Sequence, residues 1–256
     1  MSLVRAEVGG LVLLQAPLLL SAGVSHAFST RLGGVSEGLH ASLDLGLLTG
    51  DAPAAVAENR ARLCAALGYD LAALTFVHQV HGRELRPASE GARGAQREDG
   101  APAADGLLLD APGLLAWVRT ADCLPVLLAS DDGRRAAAVH AGWRGLAAGI
   151  IAAAVEALDV APERLLAAIG PGIGAENYEV SPEVAAALGE AHCRPGPRGR
   201  PLLDLAAAAA SQLRTAGVMR LDVAEECTFR DAELFFSHRR DGARTGRQGG
   251  FIACRA

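Results

Sequence analysis

The sequence predicts an α+β fold, with mixed α/β layers around a mixed β-sheet, in a single domain spanning residues 1–256. Three observations carry this expectation. Strand-like and helix-like segments interleave along the chain. The apolar runs 124–129 and 136–139 flank a turn at Asp131-Asp132-Gly133, the pattern of two antiparallel strands and their hairpin, which a doubly wound parallel sheet lacks. Hydrophobic residues make up 50% of the 256 but aromatics only 4%, so a sizeable and mainly aliphatic core is within reach.

In chain order, residues 11–20 read as an early strand broken at Pro17, and 26–31 as a second strand before the Gly33-Gly34 turn. Asp51 as cap and Pro53 in the first turn open a helix that runs to Leu67 and stops at Gly68, with Val56, Leu63 and Leu67 on one face. Residues 74–80 form a strand ending in the polar cluster His78-Gln79-Val80-His81-Gly82, and the polar, glycine-rich stretch 90–104 reads as a mobile surface loop. Strands at 105–109 and 114–118 lead into the hairpin. Helical stretches follow at 145–158 and, briefly, at 162–166, then a strand at 166–169 that enters the glycine turn G-P-G-I-G. A helix at 181–188, with Ser181 as cap and Pro182 at its first position, precedes a basic Gly/Pro loop at 194–201. A helix at 204–216 ended by Gly217 and a strand at 221–224 come next, and 235–254 holds a cationic loop between two short apolar pieces.

Charge and cysteine usage narrow the function classes. A net charge of −5 and a pI near 5.8 argue against a general nucleic-acid surface, while leaving room for a small anion held by a few arginines. No apolar run reaches the roughly 18 to 20 residues of a membrane span. The stretch 11–20 lacks the basic start of a signal peptide. Five scattered cysteines without a C-x-x-C fit reduced thiols and a cytoplasmic protein.

The hairpin brings its open ends together, and with them Cys123 and His140. If they bind a metal, the best third partner is His81, in H-Q-V-H-G at a strand end. Two neutral imidazoles and a thiolate suit Zn²⁺, with Cu²⁺ as the alternative, and three protein ligands leave one tetrahedral position open, the pattern of a catalytic zinc. The same pair also reads as a cysteine nucleophile with its base, His140 being oriented by Asp122 or Gln79, or as two ordinary buried side chains. Arg31, Arg144, Arg239 and Arg240 stand near glycines or in cationic clusters and are candidate anion binders, because a guanidinium presents a planar donor fork. Arg134 and Arg135, at the hairpin tip, read as solvated. Tyr178 and Gln79 are candidate substrate contacts, and G-P-G-I-G lacks the G-K-[ST] of a phosphate loop and reads as structural.

Taken together, H-Q-V-H-G (78–82), R-T-A-D-C-L-P-V-L-L (119–128), V-H-A-G-W-R-G (139–145), I-G-P-G-I-G with N-Y-E-V (169–180) and F-F-S-H-R-R-D-G with T-G-R (235–247) resemble the multicopper polyphenol oxidase, or laccase-like, family, also called the YfiH family. F-S-T-R-L-G-G-V-S (28–36) and A-E-N-R (57–60) extend the resemblance to nearly the whole chain. It implies a metal site of His81, Cys123 and His140, and a fold similar to the cysteine-hydrolase-like fold of deamidating toxins. Departures from the family pattern are Asp44 in place of asparagine, expected to alter a hydrogen bond near Arg31, and Gly172 and Asn177 at positions often held by cysteine.

The resemblance implies three activities. One is phosphorolysis of adenosine, inosine and S-methyl-5'-thioadenosine, with adenosine deamination as a second reaction. Another is copper-dependent polyphenol oxidation. The third is editing of peptidoglycan precursors, which a cysteine amidase using Cys123 and His140 would perform. Laccase chemistry needs several coppers and many histidines, and the chain has seven. Deamination by the known zinc nucleobase deaminases uses H-x-E and P-C-x-x-C, which are absent here. The expectation is a zinc-dependent purine nucleoside phosphorylase with adenosine deamination as a side activity that uses a different arrangement. Its partners are a purine nucleoside and phosphate, with no nucleic acid or membrane, and it works as a monomer or small homo-oligomer.

Overall fold

A computed structural model describes residues 2–255. It contains two mixed sheets, where the sequence suggested one. In chain order the strands are β1 (Val4–Val8), β2 (Leu11–Gln15), β3 (Ser25–Ser29), β4 (Leu74–Phe76), β5 (Leu85–Pro87), β6 (Ala92–Arg93), β7 (Gly106–Leu109), β8 (Leu115–Thr120), β9 (Leu124–Ser130), β10 (Ala136–Ala141), β11 (Leu165–Ile169), β12 (Cys193–Pro195), β13 (Pro201–Leu203), β14 (Arg220–Val223) and β15 (Gln248–Ala253). The helices are α1 (Pro17–Ser21), α2 (Pro53–Ala66), α3 (Trp143–Ala147), α4 (Ile150–Ala157), α5 (Pro182–Leu188), α6 (Leu205–Thr215) and α7 (His238–Asp241). One sheet has the order β1-β2-β3-β15-β8-β4-β6 and the other β14-β11-β9-β10-β7-β5; β12 and β13 form a separate ribbon. Antiparallel pairing dominates, with parallel pairs at β4/β8, β5/β7 and β11/β14.

The sheets pack face to face and each carries helices on its other face. Side-chain alternation along β9 shows how. Leu124, Val126 and Leu128 join Leu146, Ile150, Ala154 and Leu213 under the helices, whereas Leu127 and Ala129 meet Phe28, Val118 and Ile252 of the opposite sheet. A strand buried on both faces has no polar side, which is why this one reads as a continuous apolar run. On the far face of the seven-stranded sheet, Leu13, Trp117 and Phe251 pack against Leu63 and Cys64 of α2. Glycine at 250 lets the sheets approach, since a Cβ there would stand 2.9 Å from Pro125 Cβ.

The antiparallel hairpin β9/β10 forms with His140 opposite Pro125, two residues from Cys123, so the open ends do meet. Arg134 and Arg135 are exposed at its tip. Several boundaries differ from the sequence reading. Pro17 starts α1 after β2 has ended, as fits a residue without an N–H at a helix's first position. The single helix expected at 145–158 is two, separated by Gly149 in the left-handed region at φ 84°. Asp51 does not cap α2; its carboxylate accepts from Ala52 N and Ser36 Oγ. Ser181 makes no side-chain cap to α5, whereas Asp204 caps α6 by accepting from Ala207 N at 2.8 Å. The stretch 194–201, expected as a loop, is partly strand: 194–195 and 201 pair in β12 and β13, and only 196–200 turn between them.

The largest correction concerns 90–104, expected to be a mobile loop. It contributes β6 to the sheet edge and sends Glu98, fully buried, inward to ion-pair with Arg60 and, at 3.3 Å, with Arg119. A buried carboxylate is tolerated only with such partners, and its neighbours Asp99 and Gly100 hid it in a polar run.

Trp117 is the largest fully buried side chain, stacked on Phe251 at 5.7 Å and met edge-on by Phe76 at 5.6 Å. Trp117→Ala should therefore cost about 3–5 kcal/mol of unfolding free energy, read as a lower urea midpoint; a midpoint unchanged within error would contradict this packing.

Candidate metal centre and its cleft

The chain crosses from the seven-stranded to the six-stranded sheet between β4 and β5 and again between β8 and β9. His81 lies in the first crossover and Cys123 in the second. His140, near the end of β10, comes up beside them. One ligand atom from each of the three lies within 4.8 Å of the others, and the two imidazoles meet edge to face at 4.8 Å. His140 is buried, Cys123 half-buried and His81 exposed to the cleft.

Two strained residues deliver these groups: His81 has φ 61° and Asp122 has φ 92°, both in the left-handed region disfavoured for side-chain-bearing residues. Asp105, at the entry to β7, holds the first turn. Its Oδ1 accepts from His81 N at 2.9 Å and its Oδ2 from Gly82 N at 2.6 Å and Val80 N at 3.2 Å. The second turn is held by Asp122, which accepts from Thr228 Oγ1 at 2.7 Å and Arg239 N at 2.6 Å. Glycines clear the space between. A Cβ at Gly142 would stand 2.9 Å from Cys123 Sγ and 3.1 Å from His81 Cδ2, and one at Gly172 would meet Leu124 Cδ2 at 2.5 Å. The G-P-G-I-G turn thus packs beneath the site as a structural element.

Asp105 Oδ1 also accepts from His140 Nδ1 at 2.8 Å, with the imidazole in the tautomer that carries its proton there. The carboxylate that orients His140 is therefore Asp105, not the Asp122 or Gln79 that the sequence suggested. Burial alone would raise the pKa of Asp105, but the His140 hydrogen bond and charge, with the backbone N–H groups, outweigh it and hold it low. Burial likewise opposes charge on Cys123 and on His140. Their mutual attraction, aided by His81 at the thiol and Asp105 at the imidazole, brings the thiol down and the imidazole up. The result is a pre-ionised thiolate beside two imidazoles, the donor set of a borderline-soft cation.

These groups lie in a cleft of about 420 Å³, within the range of small-molecule sites. Tyr178 and Arg239 line it, the guanidinium 5.1 Å from the phenol ring centre and donating to Glu179 O at 2.9 Å. Burial first, then the Cys123 charge, pushes the Tyr178 phenol up to about 12, so it stays a neutral donor. Gln79 also lines the cleft, but its amide is spent on the Arg119 backbone, at 2.8 Å to both N and O.

Arg31 and Arg144 are not among the cleft residues. Arg31 donates to Ala41 O at 2.7 Å and Ala232 O at 3.0 Å and stacks on Phe236, and the Gly33-Gly34 turn beside it is closed on the protein's own backbone. Arg144 is exposed on α3, over Trp143 at 4.5 Å. Arg119, Arg247, Thr120 and His238, none singled out from the sequence, do line the cleft. The one available signal was Arg119, a charge ending the apolar strand L-A-W-V. Asp44 hydrogen-bonds to Arg247 N at 2.8 Å and Gly46 N at 2.9 Å, so its neighbour is Arg247 and not Arg31.

The chain belongs to the family described as multi-copper polyphenol oxidoreductase laccase, whose model matches residues 25–255. Its relatives include a protein of Deinococcus radiodurans named purine nucleoside phosphorylase, 43% identical over 93% of this chain and 91% of that protein. The purine nucleoside phosphorylase YfiH of Escherichia coli K12 is 38% identical, over 90% of this chain and 93% of its own. Among solved structures, YlmD from Geobacillus stearothermophilus superposes with a TM-score of 0.88 at 36% identity, covering 95% of this chain and 96% of that one. No helix among the described residues is long and apolar enough to cross a membrane.

In metal-free protein, alkylation of Cys123 by iodoacetamide should stay fast well below the roughly 8.5 at which an ordinary thiol titrates, slowing only as pH falls through the lowered pKa. His140→Ala should move that transition upward. Peptide mapping over a pH series checks both, and an ordinary thiol profile in the wild type would refute the ionised pair.

Proposed function

We propose that the protein is a metal-dependent purine nucleoside phosphorylase that uses Zn²⁺, with Cu²⁺ as the alternative metal. It takes adenosine, inosine and S-methyl-5'-thioadenosine with phosphate to the free base and the sugar 1-phosphate, and deaminates adenosine as a second reaction. The observation that carries the reading is the convergence of His81, Cys123 and His140, within 4.8 Å, in a cleft also lined by three arginines and a tyrosine. The names of the relatives support the same activity. The donor set fits the metal: the Cys123 thiol is held low, and with Nδ1 committed to Asp105 His140 presents Nε2, whose proton a bound metal would displace. Such a metal supplies Lewis-acid charge to an oxygen at its remaining coordination position.

The chain's own groups do the rest. Guanidiniums of Arg119, Arg239 and Arg247 attract an anionic co-substrate, and Tyr178 offers a neutral O–H donor. The geometry also favours a second reading, an amidase acting on a cell-wall precursor, because Cys123, His140 and Asp105 form a thiolate, imidazolium and carboxylate relay. A laccase reaction is less well supported, since among the described residues the one cluster of soft nitrogen and sulfur donors is this one.

Adenosine with phosphate and metal-loaded protein should give adenine and ribose 1-phosphate by chromatography; absence of both products would sink the reading, and an acyl-thioester trapped on Cys123 would replace it with the amidase. Zinc content measured after Cys123→Ala should fall well below full occupancy, and full retention would rule out the three-ligand site. Asp105→Asn should weaken zinc binding about 10–100-fold in a chelator competition, because it releases His140 from its tautomer.

A further inference from the structure

The structure assigns a tetrahedral-oxyanion subsite to the pair Arg119 and Arg247, with Glu98 as the positioning residue beneath it. The assignment rests on the phosphorolysis reading, in which the oxyanion is free phosphate. Arg119 lies in β8 opposite Gly249 of β15, and Arg247 immediately precedes β15, so adjacent strands present the two guanidiniums at one end of their ladder. Both line the cleft that contains Cys123 and His140. They are close enough for the charge of Arg247 to oppose that of Arg119.

Direct counter-charge is sparse among the described residues. Glu98 is shared by Arg60 and Arg119, and all its bonds fall on one oxygen: Oε1 meets both guanidiniums and accepts from Leu47 N at 3.0 Å. Oε2 is buried without a partner. Arg247 is held by its backbone and by one side of its guanidinium, Nη2 also reaching Ala243 O at 3.4 Å, so that among the described residues Nε and the outer Nη2 hydrogen keep a donor edge free. Its backbone N–H goes to Asp44, and its Nη1 donates to the carbonyls of Thr245 at 2.5 Å and Gly246 at 2.9 Å. Among the described residues no carboxylate pairs with its guanidinium. Asp44 Oδ2 already accepts from Thr49 Oγ1 at 2.6 Å and lies 3.1 Å from His40 Nδ1.

Space for the stem is deliberate: a Cβ at Gly46 would stand 2.9 Å from Arg247 Cγ. Three guanidiniums thus share one directly paired carboxylate, Glu98, while Asp44, Asp122 and Cys123 act on Arg247, and Asp105 on Arg119, through charge alone. Buried charge of one sign is costly until neutralised, and a doubly charged oxyanion matches two donor forks.

An independent sign of a missing ligand lies in the lining of the same cleft. Thr120, 2% exposed, also lines the cleft, and its Oγ1 is buried with no partner. An unpartnered hydroxyl in the lining that also holds the two arginines adds a donor for a phosphate oxygen. Glu98 acts through Arg119: with Gln79 Oε1 at 3.3 Å from Arg119 Nε, it fixes the direction of the fork. This gives the stretch 90–104 a purpose, since it inserts a carboxylate under the anion site.

The test is calorimetric titration of zinc-loaded protein with inorganic phosphate and, separately, with a purine nucleoside 5'-monophosphate, together with steady-state kinetics. Arg119→Lys and Arg247→Lys keep the charge and lose the fork. Each should weaken phosphate binding about tenfold or more, while zinc content, thermal midpoint and adenosine KM stay near wild type. Glu98→Gln should raise KM for phosphate with kcat largely kept, a split that a general loss of stability does not produce. Phosphate affinity unchanged in both lysine variants would overturn the subsite. So would a nucleoside monophosphate bound far more tightly than phosphate through the same arginines, which would make this a nucleotide site. Phosphate bound by the wild type and lost in the variants, but with no ribose 1-phosphate formed, would uphold the subsite and reject phosphorolysis.

Discussion

One carboxylate ties the site to the fold. Asp105 is fully buried and accepts four hydrogen bonds, three from the backbone of the turn at 80–82 and one from the His140 imidazole. The turn belongs to a crossover between sheets and the imidazole to the central hairpin. Without that anion the strained conformation of His81 has nothing to hold it, and His140 has no fixed tautomer. The charge on Asp105 is itself maintained by these donors, since burial alone would favour its protonated form. Positioning and electrostatics are thus one interaction seen from two sides.

The layered core explains why such a site can exist in a chain so poor in aromatic residues. Two sheets pack on each other through alanines of β10, the glycine of β15 and a few large side chains such as Phe28, and helices close both outer faces. Small residues at the sheet interface bring the strands close and leave their ends, where chain passes from one sheet to the other, as the natural place for an opening. Cys123 and His81 sit on two such passages. Glycine at 142 and 172 keeps that opening free of methyl groups.

Charge in the cleft is arranged in two parts. A thiolate and a carboxylate surround two imidazoles at one end, which suits a cation. Arginines outnumber their carboxylates at the other, which suits an anion. A reaction that brings a metal and an oxyanion to one organic substrate fits this division better than electron transfer or simple amide hydrolysis. Arg31, attractive in sequence because glycines adjoin it, is committed to main-chain carbonyls and serves the fold.

Much was legible in the residues alone. Period and turn chemistry exposed the β9/β10 hairpin, the body of α2 and the extent of α6, because local hydrogen bonding and side-chain alternation leave a local trace. The convergence of Cys123 and His140 was readable too, since thiol and imidazole are chemically distinctive and the hairpin alone pairs them. Only the tertiary structure placed Asp105, Glu98, Arg119 and Arg247. Aspartate, glutamate and arginine are common on surfaces, and apart from the apolar strand that Arg119 ends, nothing in their immediate neighbours tells a buried one from a solvated one. The division into two sheets was likewise hidden, because a strand buried on both faces looks the same whether a helix or a second sheet covers it. Composition and local pattern determined which groups were available for chemistry; long-range packing decided which of them lost water and therefore had to find one another.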